Sequence, residues 1–368
     1  MPTAAFVDQC MAKYASPRIV FTHDGTDYSA YVLDVSEIRR DSTLTAGRAV
    51  VTLYNGTGTF NDFMSDVYAI YKTVVIALTF SGLGENLNLF TGQVEAVRFE
   101  GELVVLTCRD YISKCLEKTI GSGQEVIDFT EDPLLNSELV WQLLTDYAVL
   151  DSVESTDNTD IDYDAFTTWG TSIDAKFDLK ARFTGMSVRN ALLKIADLTE
   201  SVFWVNGAGK VDFGATDVLG DNRAYSQDYV LDKNLDVTFD GRVNDYKVNY
   251  GFDPDTDQWD GETGLLIWGY GPFEYLQELV EEDRNVWHVS KVSADYCANE
   301  KLDRVGYQIR RWTIKTALLG YCEDICEIIT LTNFYSAPLD SIAITLDEVN
   351  YNLNDFTATL SGYWLWGY

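Results

Sequence analysis

Residues 89–108 have the sequence LFTGQVEAVRFEGELVVLTC and contain the clearest strand signal in the chain. Branched and aromatic residues fill two runs, Leu89–Phe99 and Leu103–Cys108, and the dipeptide Glu100-Gly101 between them is typical of a turn. Two such runs joined by a tight turn predict an antiparallel pair of strands. Similar short runs precede this pair, at Arg18–Thr22, Tyr28–Leu33, Ala49–Tyr54 and Val74–Phe80. This first part of the chain therefore predicts an antiparallel barrel or sandwich rather than alternating βαβ units.

Two helices are predicted after residue 121, where the strand pattern stops. The first carries an apolar stripe over residues 139–147, and Asn136 or Ser137 would cap it. The second spans Ser187–Thr199, because apolar residues recur along it at intervals of three and four. Between these helices, the polar and acidic residues 151–164 predict a loop.

Strand patterns return after the second helix. The residues Asn206-Gly207-Ala208-Gly209 predict a hairpin turn between strands at 201–205 and 210–213. Further strands are predicted at Leu235–Phe239, Asn244–Tyr250, Trp312–Leu319, Asp324–Thr332, Ile342–Asn350 and Phe356–Trp364. The chain thus has a β region, a helical insertion and a second β region.

Two features interrupt the second β region. One is an acidic loop, Asp253–Glu262, which continues into an aromatic segment through Tyr275. The other is a third helix at residues 290–307, whose predicted inward side chains are Val292, Tyr296, Leu302 and Val305.

The charge of the chain is strongly negative and unevenly placed. The 368 residues include 58 acidic and 27 basic side chains, which gives a net charge of −31. Three stretches without Lys or Arg, 119–175, 248–283 and 316–368, hold thirteen, ten and seven carboxylates. Such segregation is typical either of solvated acidic loops or of surfaces that face one another or line a space. A protein that grips nucleic-acid phosphates is excluded, because it needs clustered Lys and Arg.

No run of about 20 apolar residues occurs, so no membrane-spanning helix is predicted. Residues 1–14 lack the basic and apolar pattern of a secretion signal, and we expect a soluble chain. The 46% hydrophobic content excludes a disordered protein.

The six cysteines show no C-x-x-C spacing, and reduced, mostly buried thiols are expected. A metal or iron–sulfur site that uses Cys297, Cys322 and Cys326 is the alternative. A second possible cation site is formed by Asp253, Asp255 and Asp257, which stand at alternate positions as in the opening of a calcium loop. Gln258 and Gly264 then stand where an EF-hand needs Gly and Glu, and a plain solvated turn is the competing interpretation. The alternate carboxylates of Asp160, Asp162 and Asp164 allow the same two interpretations.

Few residues suit nucleophilic catalysis. The two histidines are His23, in a predicted hairpin turn, and His288, near the start of the third helix. A pair of His288 with Cys297 is a weak candidate, because both lie near one helix end. Pairs of carboxylates do not indicate glycoside hydrolysis in so acidic a chain, because any fold would bring some of them close together. We therefore predict no catalytic, cofactor-binding or metal-binding residues.

Aromatic side chains are concentrated at two places. They are Trp259, Trp268, Tyr270, Phe273 and Tyr275 in one stretch, and Tyr363, Trp364, Trp366 and Tyr368 near residue 368. This density predicts burial against a neighbouring domain or subunit, with a carbohydrate-stacking surface as the alternative.

The order of segments and several short patterns resemble the baseplate hub, or tail hub, proteins of long-tailed bacteriophages. The matches to the first hub barrel, in which a strand, a Phe-Thr-Gly turn and a Cys/Arg-Asp ending recur, are residues 51–56, 89–94 and 103–111. The matches to the helix and hairpin module that hubs insert between barrels are residues 185–196, 202–205 and 209–213. Residues 242–248 resemble the entry to the second barrel. One departure is Ala317-Leu318-Leu319-Gly320-Tyr321, which stands where a Leu-Gly-Asp type turn is usual.

This resemblance implies a mainly β (α+β) fold with two tube-protein-like antiparallel β-barrels and an α-helical and hairpin insertion between them. The expected domains are a first barrel at 1–120, the insertion at 121–228 and a second barrel at 229–368. The second barrel would contain an acidic aromatic loop at 251–283 and the helix at 290–307.

The resemblance also implies a structural virion protein without enzymatic activity or cofactor. Such a hub is a homotrimer at the tail tip or baseplate, assembled in the host cytoplasm, which initiates the tail tube and adapts it to the tip. Its partners are a distal tail protein, a tape-measure protein and a tip, spike or fibre protein. DNA passes through its channel during ejection without specific binding, and carboxylates on the bore suit that task.

Two other kinds of function are compatible with the same sequence. One is a distal tail ring, which would be hexameric, or a tail protein that binds host glycans through the Trp-rich stretch. The other is a tail-tip glycan hydrolase that uses two of the many carboxylates.

Overall fold

The computed structural model of the chain describes residues 2–12, 15–45, 47–65, 69–121, 135–174, 179–181, 183, 185–215, 222–238, 243–253, 256–266, 277–281, 286–288, 290–306, 309–332 and 341–365. The helices are α1 Ala4–Met11, α2 Tyr111–Leu116, α3 Asn136–Gln142, α4 Tyr163–Asp174, α5 Val188–Leu198 and α6 Lys291–Gly306. The strands are β1 Pro17–His23, β2 Thr26–Asp27, β3 Val32–Val35, β4 Ile38–Asp41, β5 Arg48–Tyr54, β6 Thr73–Phe80, β7 Asn86–Glu100, β8 Leu103–Arg109, β9 Leu179–Ala181, β10 Ser201–Val205, β11 Val211–Ala215, β12 Asn222–Tyr225, β13 Val230–Thr238, β14 Val243–Asp253, β15 Gln258–Leu266, β16 Gln277–Glu281, β17 Val286–His288, β18 Ile309–Thr316, β19 Ile328–Thr332, β20 Ser341–Asn352 and β21 Thr357–Leu365.

The first sheet contains seven antiparallel strands in the pairing order β2-β1-β6-β7-β8-β5-β3. The predicted hairpin is present, with Glu100 opposite Leu103 at the end of β7 and β8. Buried and half-buried residues alternate along β8, as expected for a strand that buries one face. The antiparallel prediction for this part of the chain is confirmed.

The second sheet also has seven strands, and one of them comes from the first part of the chain. Its pairing order is β12-β19-β20-β21-β18-β13, and β4 adds to it by pairing with β20. Ile38 lies opposite Tyr351, and Arg40 lies opposite Val349. The chain between β3 and β5 of the first sheet therefore supplies one strand of the second sheet. The chain is mainly β, as predicted.

A third, five-stranded sheet carries the order β15-β14-β17-β9, with β16 also paired to β14. Helix α6 packs against its strands β14 and β15. The buried side chains of α6 include Ala294, Cys297 and Ala298, whereas Val292 is 66% exposed. The predicted inward position of Val292 is thus wrong, because the small residues form the stripe that faces the sheet. The side chains of Leu302 and Val305 lie outside the described residues.

The described residues form two apolar cores. The first is continuous between the two large sheets and includes Phe21 and Leu106 from the first sheet and Trp312 and Tyr351 from the second. The second core joins helices α3 to α6 with the β10–β11 hairpin and β14. Burial of these large side chains is the main stabilising contribution, at about 1.5 to 3 kcal/mol for each one.

Several local predictions differ from the structure. Tyr28–Leu33 is not one strand, because the Ser29 amide donates a hydrogen bond to Asp27 Oδ1 (2.8 Å) and begins a 3₁₀ turn. The Phe-Thr-Gly pattern lies inside β7 rather than in a turn, with Gly92 opposite Val74. The predicted strand Trp312–Leu319 ends at Thr316 and is followed by a 3₁₀ turn.

Two predicted acidic loops contain regular structure. In the stretch 151–164, helix α4 begins at Tyr163, where Asp162 Oδ1 accepts a hydrogen bond from the Ala165 amide (3.2 Å). In the stretch 251–283, strands β14 and β15 form a hairpin with Asp253 opposite Gln258. Carboxylates at alternate positions on an exposed hairpin keep one face solvated, which is compatible with a strand.

The other helix predictions are confirmed. Helix α3 begins at Asn136, although the residue at its cap is Leu135 and the Ser137 side chain instead bonds to Asp174. Ser187 caps α5 by accepting a hydrogen bond from the Asn190 amide. No described helix has the length and apolarity needed to cross a membrane.

Candidate functional site

A cleft of about 670 Å³ lies where the first sheet, the helical insertion and the second sheet meet. Exposed residues such as Asn86, Asn88 and Thr168 form its rim. Its floor contains the buried side chains of Trp204 and Tyr321. We call this feature the junction cleft.

One wall of the junction cleft is an acidic turn, residues 323–327, that follows the 3₁₀ turn Leu318–Cys322. The turn is held by its own side chains. The Asp324 amide donates to Glu327 Oε2 (2.7 Å), and the Ile325 amide donates to Asp324 Oδ1 (2.8 Å). Cys326 has a φ of +66°, a conformation that costs energy for a residue with a Cβ. The fold therefore tolerates local strain to present these carboxylates.

Arg40, on β4, connects this strand from the first part of the chain to the acidic turn. Its Nη1 lies 2.6 Å from Asp324 Oδ2, and its Nη2 donates to the Tyr351 hydroxyl (2.6 Å). That hydroxyl in turn donates to the Glu323 carbonyl (2.6 Å). The Arg40 side chain is 10% exposed, so the pair is shielded from solvent and salt.

Glu323 is the most deeply placed carboxylate of the turn, with a side chain that is 0% exposed. Its Oε1 lies 2.5 Å from Arg223 Nη1 and accepts a hydrogen bond from the Tyr225 hydroxyl (2.6 Å). The carboxyl groups of Glu323 and Glu327 are also hydrogen-bonded to each other. The buried Glu323 carboxylate is thus held from both sides.

Two neighbouring acids have raised pKa values. Burial raises the pKa of Glu327 to about 9, and the nearby charges of Glu323 and Asp324 add to this effect. Burial likewise raises the pKa of Asp212 to about 7, and the negative charges of Asp162 and Asp324 add to this increase. At neutral pH, Glu327 holds its proton and Asp212 is close to its midpoint.

The acids of the junction cleft come from separate parts of the sequence. Asp162 and Asp164 belong to the first stretch without basic residues, and the acidic turn belongs to the third. These two stretches therefore line a common space, which was one of the two interpretations of the segregated charge. Sequence patterns did not single out Arg40, Asp212 or the acidic turn, because their meeting depends on how distant strands pair.

The structure places the candidate nucleophile and metal residues on several different elements. His23 is buried at the end of β1, where Nε2 lies 3.3 Å from the Ala69 carbonyl and burial lowers its pKa. His288 lies on β17. Cys297 belongs to the second core, whereas Cys322 and Cys326 border the first, so the three cysteines are not gathered together.

The two alternate-Asp patterns also differ from cation loops. Asp253 Oδ2 accepts a hydrogen bond from Thr256 at the β14–β15 turn (2.7 Å), and Asp255 lies outside the described residues. In the other pattern, Asp160 accepts a hydrogen bond from the Asp151 amide (2.9 Å), while Asp162 caps α4. No group of three potential ligands in the described residues has the arrangement needed to hold a metal ion.

Most residues of the two aromatic groups lie outside the described part of the chain. These are Trp268, Tyr270, Phe273, Tyr275, Trp366 and Tyr368. Of the others, Trp259 is half-buried on β15, and Trp364 on β21 packs against the first core. Their predicted burial against a neighbouring subunit stays a prediction.

The acidic turn does not match the geometry of a glycoside hydrolase. The Glu327 carboxyl is hydrogen-bonded to Glu323, and Glu323 is already bound to Arg223. Two catalytic carboxylates instead stand about 5 to 9.5 Å apart across a sugar that reaches both. A carboxylate with 0% exposure does not reach a sugar.

Comparisons with solved structures find the same fold in tail proteins. A tail protein from Neisseria meningitidis matches with a TM-score of 0.59 over 96% of this chain and 98% of that chain, at 11% sequence identity. The 43 kDa tail protein of prophage MuSo2 from Shewanella oneidensis matches with a TM-score of 0.58 over 94% and 98% of the chains, also at 11% identity.

A third similar structure belongs to an Escherichia coli component of the type VI secretion system, which is described as similar to the T4 bacteriophage tail proteins gp27 and gp5. It matches with a TM-score of 0.52 over 94% of this chain and 77% of that chain, at 7% identity. No protein-family model matches the sequence, and no curated protein matches it either. The resemblance to phage tail proteins is thus present in the three-dimensional structure, and the chain has their fold.

Proposed function

We propose that the chain is a structural protein of a phage tail tip, the hub that initiates the tail tube and adapts it to the tip or baseplate. The observation that carries this proposal is the match of almost the entire chain to almost the entire length of two tail proteins. The two seven-stranded sheets and their connection through β4 suit a part that bears mechanical load.

The proposed hub is a homotrimer in the virion, assembled in the host cytoplasm. Three copies would contribute six tube-like barrels around a channel, and a threefold ring closes by symmetry. Its proposed partners are a distal tail protein, a tape-measure protein and a tip, spike or fibre protein. The proposed division of the chain is a barrel at 1–120, an insertion at 121–228 and a barrel at 229–368. Strands β4 and β12 cross that division, because both pair within the second sheet.

The net charge supports a channel that DNA crosses during ejection. A surface with a net charge of −31 and few basic residues repels phosphates instead of holding them. We therefore propose transient passage of DNA without specific binding.

A non-enzymatic role is part of the proposal. The buried acids of the acidic turn are engaged in ion pairs and hydrogen bonds that hold elements together. Such networks serve architecture and also shift pKa values without catalysis.

The mass of the purified full chain in solution tests the proposal. Light scattering that gives three times 41.4 kDa, followed by electron-microscope images of rings with threefold symmetry, is the expected result. A hexamer would overturn the hub assignment and favour a distal tail ring. A chain that stays monomeric at every concentration up to about 100 µM would contradict the self-assembling trimer.

A further inference from the structure

Helix α1 lies against elements from distant parts of the chain. Its buried Phe6 packs on Phe80 of β6, with ring centroids 5.0 Å apart. At the start of the helix, the Thr3 amide donates a hydrogen bond to Glu85 Oε1 (3.0 Å). Helix α1 also contacts the 3₁₀ turn Leu318–Cys322, which follows β18 of the second sheet. The helix thus bridges the first and second sheets through its side chains.

Two cysteines meet where α1 contacts this 3₁₀ turn. The Sγ atoms of Cys10 and Cys322 lie 3.5 Å apart, although 312 positions separate the two residues in the sequence. The residues are 6% and 3% exposed, respectively. Because the sulfur atoms of a disulfide stand about 2.05 Å apart, these two need to approach each other by only about 1.5 Å. The folded chain therefore holds two thiols in position for a covalent bond between α1 and the second sheet.

Burial protects the two thiols while α1 stays docked. The hydrogen bond between Cys322 and Cys10, together with burial, raises the pKa of Cys322. Since the thiolate is the reactive form, the docked thiols react slowly with an external oxidant. Helix α1 has eight residues, and short peripheral elements open locally at a lower cost in free energy than core strands do. Oxidation therefore follows the opening of α1, and the bond is completed when the helix docks again.

We propose that Cys10 and Cys322 form a redox-sensitive lock that fixes α1 to the second sheet. The oxidant is a small disulfide of the glutathione class. The Cys10 thiolate attacks the oxidised glutathione, which forms a mixed disulfide and releases one glutathione thiolate. The Cys322 thiolate then attacks the Cys10 sulfur, which forms the Cys10–Cys322 bond and releases the second glutathione thiolate. Two protein thiols are oxidised, the glutathione disulfide is reduced, and the two protons of the protein thiols pass to the released thiolates.

The state of the lock follows the redox conditions around the protein. In a reducing cytoplasm the pair stays as two thiols, and α1 opens and closes freely. In an oxidising medium the bond keeps α1 attached even when its local contacts break. The bond also joins residues that are far apart in the sequence, so it restricts the unfolded chain strongly. This inference does not depend on the proposed hub function, since it needs only the folded chain and an oxidant.

Equilibration of the folded full chain with oxidised glutathione tests the proposal. The remaining thiols are then blocked with N-ethylmaleimide, and the chain is digested with trypsin in the absence of reductant. Because trypsin cleaves after Lys and Arg, Cys10 lies in the peptide 1–13 and Cys322 in the peptide 316–368. We expect mass spectrometry to find these two peptides joined as the main disulfide-linked product, and to find them separate after treatment with dithiothreitol.

The peptide 316–368 also contains Cys326, so Cys326→Ala is the matched control. The link should persist in Cys326→Ala. Oxidation should raise the midpoint of thermal unfolding by about 5 °C in the natural chain and leave that of Cys10→Ala unchanged. The absence of the link in the folded natural chain, its loss in Cys326→Ala, or an unchanged midpoint after the link has formed would each overturn the proposal. These three outcomes are read from the natural chain and Cys326→Ala, so they hold even where Cys10→Ala fails to fold.

Discussion

Replacement of Arg40 by Met is the sharpest test of how β4, a strand from the first part of the chain, is held in the second sheet. Met keeps an unbranched apolar stem like the aliphatic part of arginine but removes the guanidinium. The variant loses the 2.6 Å ion pair with Asp324 and the 2.6 Å hydrogen bond to Tyr351. It also leaves the Asp324 carboxylate beside Glu323 and Glu327 without a compensating charge.

The expected loss follows from the burial of the pair. Arg40 and Asp324 have side chains that are 10% and 29% exposed, so solvent screening is limited. Two hydrogen bonds to a charged group contribute about 1.5 to 3 kcal/mol each, and loss of one partner of a buried pair costs about 3 to 5 kcal/mol. We expect Arg40→Met to lower the free energy of unfolding by about 3 to 5 kcal/mol.

The neighbouring residue provides a matched control. Arg39 lies on the same strand, is 61% exposed and is paired with Glu348 at 3.2 Å. Because exposed pairs contribute little, Arg39→Met should cost about 1 kcal/mol or less. Urea unfolding of the full chain, followed by tryptophan fluorescence and far-UV circular dichroism, measures both variants.

The double variant Arg40→Met with Asp324→Asn separates the pair from its surroundings. Removal of both charges leaves neither one unpaired. The double variant should therefore lose less unfolding free energy than the two single variants lose together, by about 1 kcal/mol or more. Equal losses for Arg40→Met and Arg39→Met would refute the reasoning that the buried contact holds β4 in the second sheet.

Three further predictions concern other parts of the molecule. Gly92→Ala should cost about 1 to 3 kcal/mol in urea unfolding, because a Cβ there would lie 2.5 Å from a backbone oxygen of β8; Gly84→Ala, with nothing within 4 Å, should change stability by about 0.5 kcal/mol or less. Burial raises the pKa of Glu327 from 4.5 to about 9, so the folded state binds this proton more tightly than the unfolded state does. The resulting contribution to the free energy of unfolding is fully present below the ordinary pKa and is lost as the pH rises towards about 9. Glu327→Gln should therefore be relatively more stable than the natural chain at pH 9 than at pH 5 in thermal unfolding, and an unchanged difference would contradict the buried assignment. Diamide should oxidise Cys10 and Cys322, whose Sγ atoms lie 3.5 Å apart, to a disulfide with transfer of two electrons and two protons to diamide; peptide mapping that finds either thiol in a different pair would refute this.

Local patterns in the sequence were enough to locate most elements. The β7–β8 hairpin and helix α5 follow from alternation, turn residues and a capping serine. The sequence analysis predicted a loop at 151–164 and no element over 165–174, although Phe166, Trp169 and Ile173 have helical spacing. Helix α4 thus begins near the point where the predicted loop ends.

The junction cleft could not be predicted from the sequence. Arg40 and Asp324 are 284 positions apart, and only the pairing of β4 with β20 brings them together. Trp204 belongs to the predicted strand 201–205, and its place in the floor of the junction cleft depends on how distant elements pack around it. Long-range register, rather than local propensity, creates this site.

The pairing of β4 with β20 also governs when the chain finishes folding. Ile38 leaves the ribosome roughly 300 residues before its partner Tyr351, and translation at about 5 to 20 residues per second puts some 15 to 60 seconds between them. During that interval β4 has no β20 to pair with, and a nascent chain that is released before β20 is synthesised never forms this pairing. The second sheet is therefore complete only after β20 has been synthesised. Shorter products lack the β4–β20 pairing and are kept out of any assembly that needs it.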